Sequence, residues 1–206
     1  MTKLKPTLSI ILLVFSILMI SISKYGMELY LQHIGTVFIL ILMLLDIKKN
    51  VMSRLGFIGL WVFAMLHSFG ATWLYTNMPH NEWMINLFNW DMNESFVWER
   101  NHYDRLVHFS FGLLLLPAVK DLFIAKYKFN FKQSLLVAFL AIQMFSMFYE
   151  LFEWGLAVFL SPEMADSYNG QQGDFWDAQK DMALAMVGSV FSLFYLKYRR
   201  KKSGLT

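Results

Sequence analysis

Residues 135–160 read LLVAFLAIQMFSMFYELFEWGLAVFL, an apolar run whose ionisable side chains are Glu150 and Glu153, both in its last third. At about 1.5 Å rise per residue the run reaches about 39 Å as a helix, more than the roughly 30 Å of a bilayer's hydrocarbon core. Stretches of the same character lie near Leu8–Ser23, Leu29–Leu45, Leu55–Tyr75, Leu106–Ile124 and Ala178–Tyr195. The composition agrees, with 57% of the 206 residues hydrophobic and 16% charged, against roughly 45–50% and 25% in soluble domains. A chain this small has too little interior to hide that much apolar surface from water. The sequence therefore predicts an all-α, polytopic membrane bundle of about six transmembrane helices. It forms a single integral-membrane domain over residues 1–206, with the lipid bilayer as partner and a polar core within 55–195.

Charge placement orients the bundle. Lys3 and Lys5 precede the first span, Lys48, Lys49 and Arg54 fill the second loop, and Lys126, Lys128 and Lys132 the fourth; Lys197, Arg199, Arg200, Lys201 and Lys202 end the chain. The intervening loops carry Lys24 with Glu28, then Glu82, Asp91, Glu94, Glu99 and Asp104 with Arg100 and Arg105, then Glu163, Asp166, Asp174 and Asp177. Basic loops stay preferentially in the cytoplasm, which predicts both termini inside. The balance of 18 Lys and Arg against 15 Asp and Glu is small and scattered, so nucleic acid is not an expected partner. Without cysteine the chain has no disulfide, no thiolate zinc site and no thiol nucleophile. The first span, 8–23, reads as an uncleaved signal-anchor helix, although Ser21-Ile22-Ser23 resembles a cleavage site. The long third loop holds Trp83, Trp90 and Trp98, which suits interfacial anchoring.

Ionisable groups inside a membrane are expensive, so their positions carry information. His67 lies in the outer half of the third span, Asp104 and His108 open the fourth, Glu150 and Glu153 close the fifth, and Asp174, Asp177 and Asp181 lead into the sixth. All fall near one depth on the outer side. Spacings of three and four put each set on one helix face, and Ala185 and Gly188 continue the Asp181 face with small residues that let helices approach. Three chemistries fit. His67, His108, Glu150, Glu153, Asp174, Asp177 and Asp181 are candidate ligands for a divalent metal, with zinc, manganese or non-haem iron suiting a mixed imidazole and carboxylate set and calcium or magnesium an all-oxygen subset. His108, Glu150, Glu153, Asp104 and Asp181 are candidate acid–base groups for a lipid-borne or envelope substrate, with Arg100, Arg105 and His102 binding its anionic head. A small transporter is the third, but Gln143, Ser146 and Ser192 are the main polar residues expected deeper in the bundle. A structural network, in which Arg100 and Arg105 neutralise the acids and His67 bonds across helices, is the plain alternative. His33, near the outer end of the second span, is a weaker candidate.

These residues resemble the YjdF-like family of bacterial inner-membrane proteins. The resemblance rests on Arg100-Asn101-His102-Tyr103-Asp104-Arg105 with His108-Phe109 and Gly112, then Tyr149-Glu150 with Glu153-Trp154, then Gln172-Gly173-Asp174 with Trp176-Asp177, Gln179, Asp181 and Met182. His67 with Gly70-Ala71, Tyr75-Thr76 and Pro79 adds to it. It implies a place in the bacterial cytoplasmic membrane and no established reaction. A more distant similarity is to VanZ-like glycopeptide-resistance proteins, whose pattern is Asp-Lys-x-x-His, Glu-x-x-Gln and Asp-x-x-x-Asn-x-x-Gly. Here Arg105 replaces the Lys, Glu153 the Gln and Ala185 the Asn, while Asp104, His108, Glu150, Asp181 and Gly188 stand. That similarity implies an outward-facing role at the cell envelope.

Overall fold

In a computed structural model, residues 3–159 and 172–204 are described. Among them the regular structure is helical throughout: α1 Leu4–Ile22, α2 Met27–Lys49, α3 Arg54–Ala71, α4 His80–Phe88, α5 Met92–Phe96, α6 Tyr103–Tyr127, α7 Phe131–Phe159 and α8 Asp177–Lys202. The expected polytopic helical bundle is what forms. Five helices, α1, α2, α3, α6 and α7, are long and apolar enough to cross a membrane by length and composition. The expected sixth span, α8, is long enough, but its uncharged run lies between Asp181 and Lys197 and covers only about 22 Å of helix. Packing holds it in the bundle, since α8 against α6 is the most extensive helix pair. The two short helices α4 and α5 occupy the long third loop.

The long helices form two triplets. α1, α2 and α3 pack on one another, α6, α7 and α8 do the same, and α3 against α6 joins them. Apolar side chains such as Ile10, Phe38, Phe145 and Phe152 stay exposed on the outside, a surface that hydrocarbon covers more readily than water. The run alternates up and down. At one end Lys5 meets Asp46, the Ser53 amide donates to Asp121, and Arg200 stacks on Phe131, so the basic segments of the chain gather there. At the other end the Ser23 hydroxyl donates to the Thr72 carbonyl.

Local chemistry corrects three expected details. Lys5, read as a basic residue ahead of the first span, lies inside α1 and is 4% exposed; its ammonium donates to Asp46 at 2.6 Å, Asn50 at 2.9 Å and the Met52 carbonyl at 3.0 Å, which compensates its burial. The third span ends at Ala71 rather than Tyr75, because Leu74 and Tyr75 take positive φ of 50° and 57° and turn Tyr75 back over α3. Besides Gln143, Ser146 and Ser192, the polar residues within the spans include the buried Gln32, Thr36, Ser110 and Ser189. The expected end of the fifth span at Leu160, with Glu163 and Asp166, lies outside the described residues.

The α6–α8 seam positions the site. A Cβ on Gly112 would collide with the Ala185 carbonyl oxygen, and one on Gly188 with the Phe109 carbonyl oxygen, so the two backbones touch where any side chain would part them. Steps of four from Gly112 lead to His108 and Asp104; from Gly188 the same face runs through Ala185 to Asp181. The close approach therefore delivers the polar groups of both helices to one place.

Candidate functional site

Asp104, His108 and Asp181 converge there. Each offers one nitrogen or carboxylate oxygen, and the three atoms lie within 4.8 Å of one another; among the described residues this is the group that could hold a metal ion. His108 faces two ways: Nε2 is 3.5 Å from Asp104 Oδ1, and Nδ1 is 3.6 Å from Glu150 Oε1 on α7. The Tyr149 ring packs beside the imidazole, with centroids 5.9 Å apart. Asp181 is 2% exposed and Glu150 7%, yet Asp181 Oδ1 and Glu150 Oε1 have no hydrogen-bond partner. Buried polar atoms are nearly always paired, so two orphaned acceptors in one place call for an explanation. Glu153, one turn beyond Glu150, accepts a hydrogen bond from Tyr149.

Above this group lies a rim of ion pairs. Arg100 pairs with Asp177 and stands 3.5 Å from Asp174; Arg105 pairs with Asp174 and stands 3.3 Å from Asp177. Lys180 adds a bond of 2.7 Å to Asp174. Its hydrogen bond foremost, with the Trp176 amide and the Arg105 guanidinium, holds the Asp174 carboxyl well below the usual carboxylate range. Asn101 and Gln172 brace the rim through a reciprocal pair, in which the Asn101 amide donates to Gln172 Oε1 at 2.9 Å and Gln172 Nε2 to the Asn101 carbonyl at 3.2 Å. His102 packs on Trp98, centroids 4.6 Å apart. Partial burial, then Arg105 and Arg100, push its imidazole below the ordinary histidine value.

A cleft of about 280 Å³ opens beside the group between α7 and α8, lined by Glu150, Glu153, Asp174, Asp177 and Gln179 with Met147, Leu151, Trp154, Phe175 and Met182. Leu151, Trp154 and Phe175 are exposed. The cleft is thus acidic within and apolar at its mouth.

The structure therefore divides the residues singled out in the sequence. Asp104, His108, Glu150 and Asp181 come together, with Glu153 beside them on the cleft; Asp174 and Asp177 join Arg100 and Arg105 in the rim. His67 stands apart. Its Nε2 lies 3.0 Å from the Gln32 carbonyl oxygen and Nδ1 bonds Tyr75, so it faces α2, where His33 bonds Thr36 at 3.2 Å. Both its nitrogens are engaged in that separate network. Sequence reasoning overlooked Lys180, which reaches Asp174 six residues before it, a spacing that helix period does not pair.

Comparison with known proteins agrees with this description. The family model described as "Predicted membrane protein (DUF2238)" matches residues 5–202. The chain is 26% identical over 199 residues to the inner membrane protein YjdF of Escherichia coli (strain K12), a match covering 94% of this chain and 90% of that protein. No solved structure matches.

Proposed function

The chain belongs to the DUF2238 family of predicted membrane proteins, and from that premise we propose that it is an inner-membrane enzyme acting on the polar head of a lipid or lipid-linked envelope precursor. The observation that carries this reading is the cleft between α7 and α8, with carboxylates inside and exposed apolar side chains at its mouth. An amphiphile has the matching shape: its head meets Glu150 and Glu153 while its tail stays in hydrocarbon. Glu150 is the candidate base, held against His108, and His108 the candidate acid, with Asp104 and Asp181 fixing its charge and orientation. Arg105 is the candidate anion clamp. Its Nε has no partner, and an incoming headgroup phosphate would take over from Asp174 the guanidinium edge that Asp174 now holds. With both termini inside, as the basic segments imply, the pocket faces the outer side.

A transporter would need polar groups continuing to the opposite end. The buried charged groups there, Lys5 with Asp46 and Asp121 with Lys120, are saturated by their own partners, which favours a one-sided pocket. The test compares lipid and envelope-precursor extracts, by mass spectrometry, from host cells lacking the protein and from the same cells supplied with wild type or Glu150→Gln. A species that accumulates in the deletion, clears with wild type and persists with Glu150→Gln supports the enzyme. Identical extracts from deletion and wild type would sink it.

A further inference from the structure

We infer that Asp104, His108 and Asp181 bind one divalent transition-metal ion, with Glu150 as the carboxylate that orients the histidine ligand. This deepens the enzyme reading and revises two of its roles: with an ion bound His108 is a ligand rather than the acid and Glu150 orients it, whereas without an ion the reading survives as metal-free acid–base chemistry with the roles given above.

Four observations converge. The donor atoms lie within 4.8 Å of one another, and His108 Nε2 to Asp104 Oδ1, at 3.5 Å, already matches the edge of a tetrahedron built from zinc bonds of 2.0–2.1 Å, roughly 3.3 Å. The edges to Asp181 lie within 4.8 Å. Second, Asp181 is almost wholly buried and its Oδ1 bonds nothing, as an oxygen reserved for a metal would be. Third, the other imidazole nitrogen faces Glu150 at 3.6 Å; a ligating histidine characteristically gives its second N–H to a carboxylate, which fixes tautomer and ring orientation. Fourth, the nearby cations make their ion pairs with the rim, and Arg100 and Arg105 act on Asp104, and Arg105 on Asp181, only through space. Arg100, Arg105 and Lys180 pair with Asp174 and Asp177, which leaves Asp104, Asp181 and Glu150 crowded around one imidazole. A divalent ion supplies the missing charge. One nitrogen with two carboxylate oxygens selects zinc, manganese or iron over calcium and magnesium, and three protein ligands leave a fourth position for water or substrate.

Binding can be measured without knowing the substrate. The full chain, purified in detergent with a histidine-free tag and stripped with chelator, is titrated with Zn²⁺, and with Co²⁺ as a visible-absorption probe. One equivalent is expected per chain. Asp181→Asn and His108→Gln should weaken binding at least about 100-fold and Glu150→Gln about 10- to 100-fold, with Glu94→Gln, in the outer loop, unchanged. Equal affinity in the Asp181 and His108 variants would place the ion elsewhere and overturn the inference, as would a wild type that takes up none of Zn²⁺, Mn²⁺, Co²⁺ or Fe²⁺. Should the variants fail to fold, X-ray absorption at the zinc edge of the wild type decides: one imidazole among oxygens is expected, and a shell without nitrogen, or with several imidazoles, refutes it.

Discussion

Lys5 with Asp46 at one end of the bundle, and Asp104, His108 and Asp181 at the other, are both clusters of buried charge, but they are finished differently. Lys5 has three acceptors, and Asp46 receives the Lys5 ammonium on Oδ2 and the Val51 and Met52 amides on Oδ1, each at 2.8 Å. At the other end Asp181 Oδ1 and Glu150 Oε1 receive nothing. A saturated cluster has no capacity left for a ligand and reads as a fastening between α1, α2 and the start of α3. An unsaturated one is costly to keep, and the cost makes sense where a ligand completes it. Burial of charge is therefore a weaker guide to function than the accounting of its partners.

The largest effect should come from breaking the finished cluster. Lys5→Met leaves Asp46 buried without its cation, a loss of about 3–5 kcal/mol, read as a lowered unfolding midpoint in detergent. Adding Asp46→Asn should recover more than half, because the amide oxygen still accepts from Val51 and Met52 while the stranded charge is gone. No recovery would mean that the ion pair is not what holds these helices.

The α6–α8 seam comes next. Gly188→Leu forces a side chain against the Phe109 carbonyl, and since backbone cannot swing away the helices must part, at about 1–3 kcal/mol. The same change separates Asp181 from His108, so metal affinity should fall even in molecules that stay folded. Wild-type affinity in a folded Gly188→Leu protein would show that the seam does not set the site.

Asp181→Asn should act in the opposite sense. In chelator-stripped protein it removes a buried carboxyl whose Oδ1 bonds nothing, and stability should rise by about 0.5–2 kcal/mol, the usual exchange between function and stability. The same substitution at the finished end, Asp46→Asn with Lys5 intact, should lower the midpoint. If both substitutions move it the same way, the contrast between the ends is false.

The sequence made much of this legible. Apolar runs exposed α1, α2, α3, α6 and α7, and steps of three and four exposed the Asp104–His108 and Asp181–Ala185–Gly188 faces, because helix period ties spacing to direction. What stayed hidden depends on tertiary partners. His67 sits on the right helix at the right depth, but whether a face of α3 looks toward α2 or α6 is decided by packing with both. Lys5 looks like any flanking basic residue, since nothing local shows that Asp46, forty-one residues on, will meet it. The pairing of Arg100 and Arg105 with Asp177 and Asp174 is likewise long-range. The weak hydropathy of α8 was readable only as a short uncharged run between Asp181 and Lys197.

The rim offers the smallest and most specific effect. Asp174 is held below its ordinary value chiefly by Lys180, and a carboxyl whose folded pKa is depressed adds stability that is complete above its unfolded value, near 3.9, and lost as pH falls toward the folded one. The contribution of Asp174 should therefore be constant between about pH 5 and 8 and begin to decline only below about pH 4. Removing Lys180 raises the folded value toward the unfolded one and shrinks the contribution. Lys180→Ala should thus lower the unfolding midpoint slightly at pH 6, by a difference that narrows as pH falls below about 4. The Lys5–Asp46 end is untouched by this substitution, so a difference between the two proteins that grew on acidification would contradict the assignment of Lys180 to Asp174.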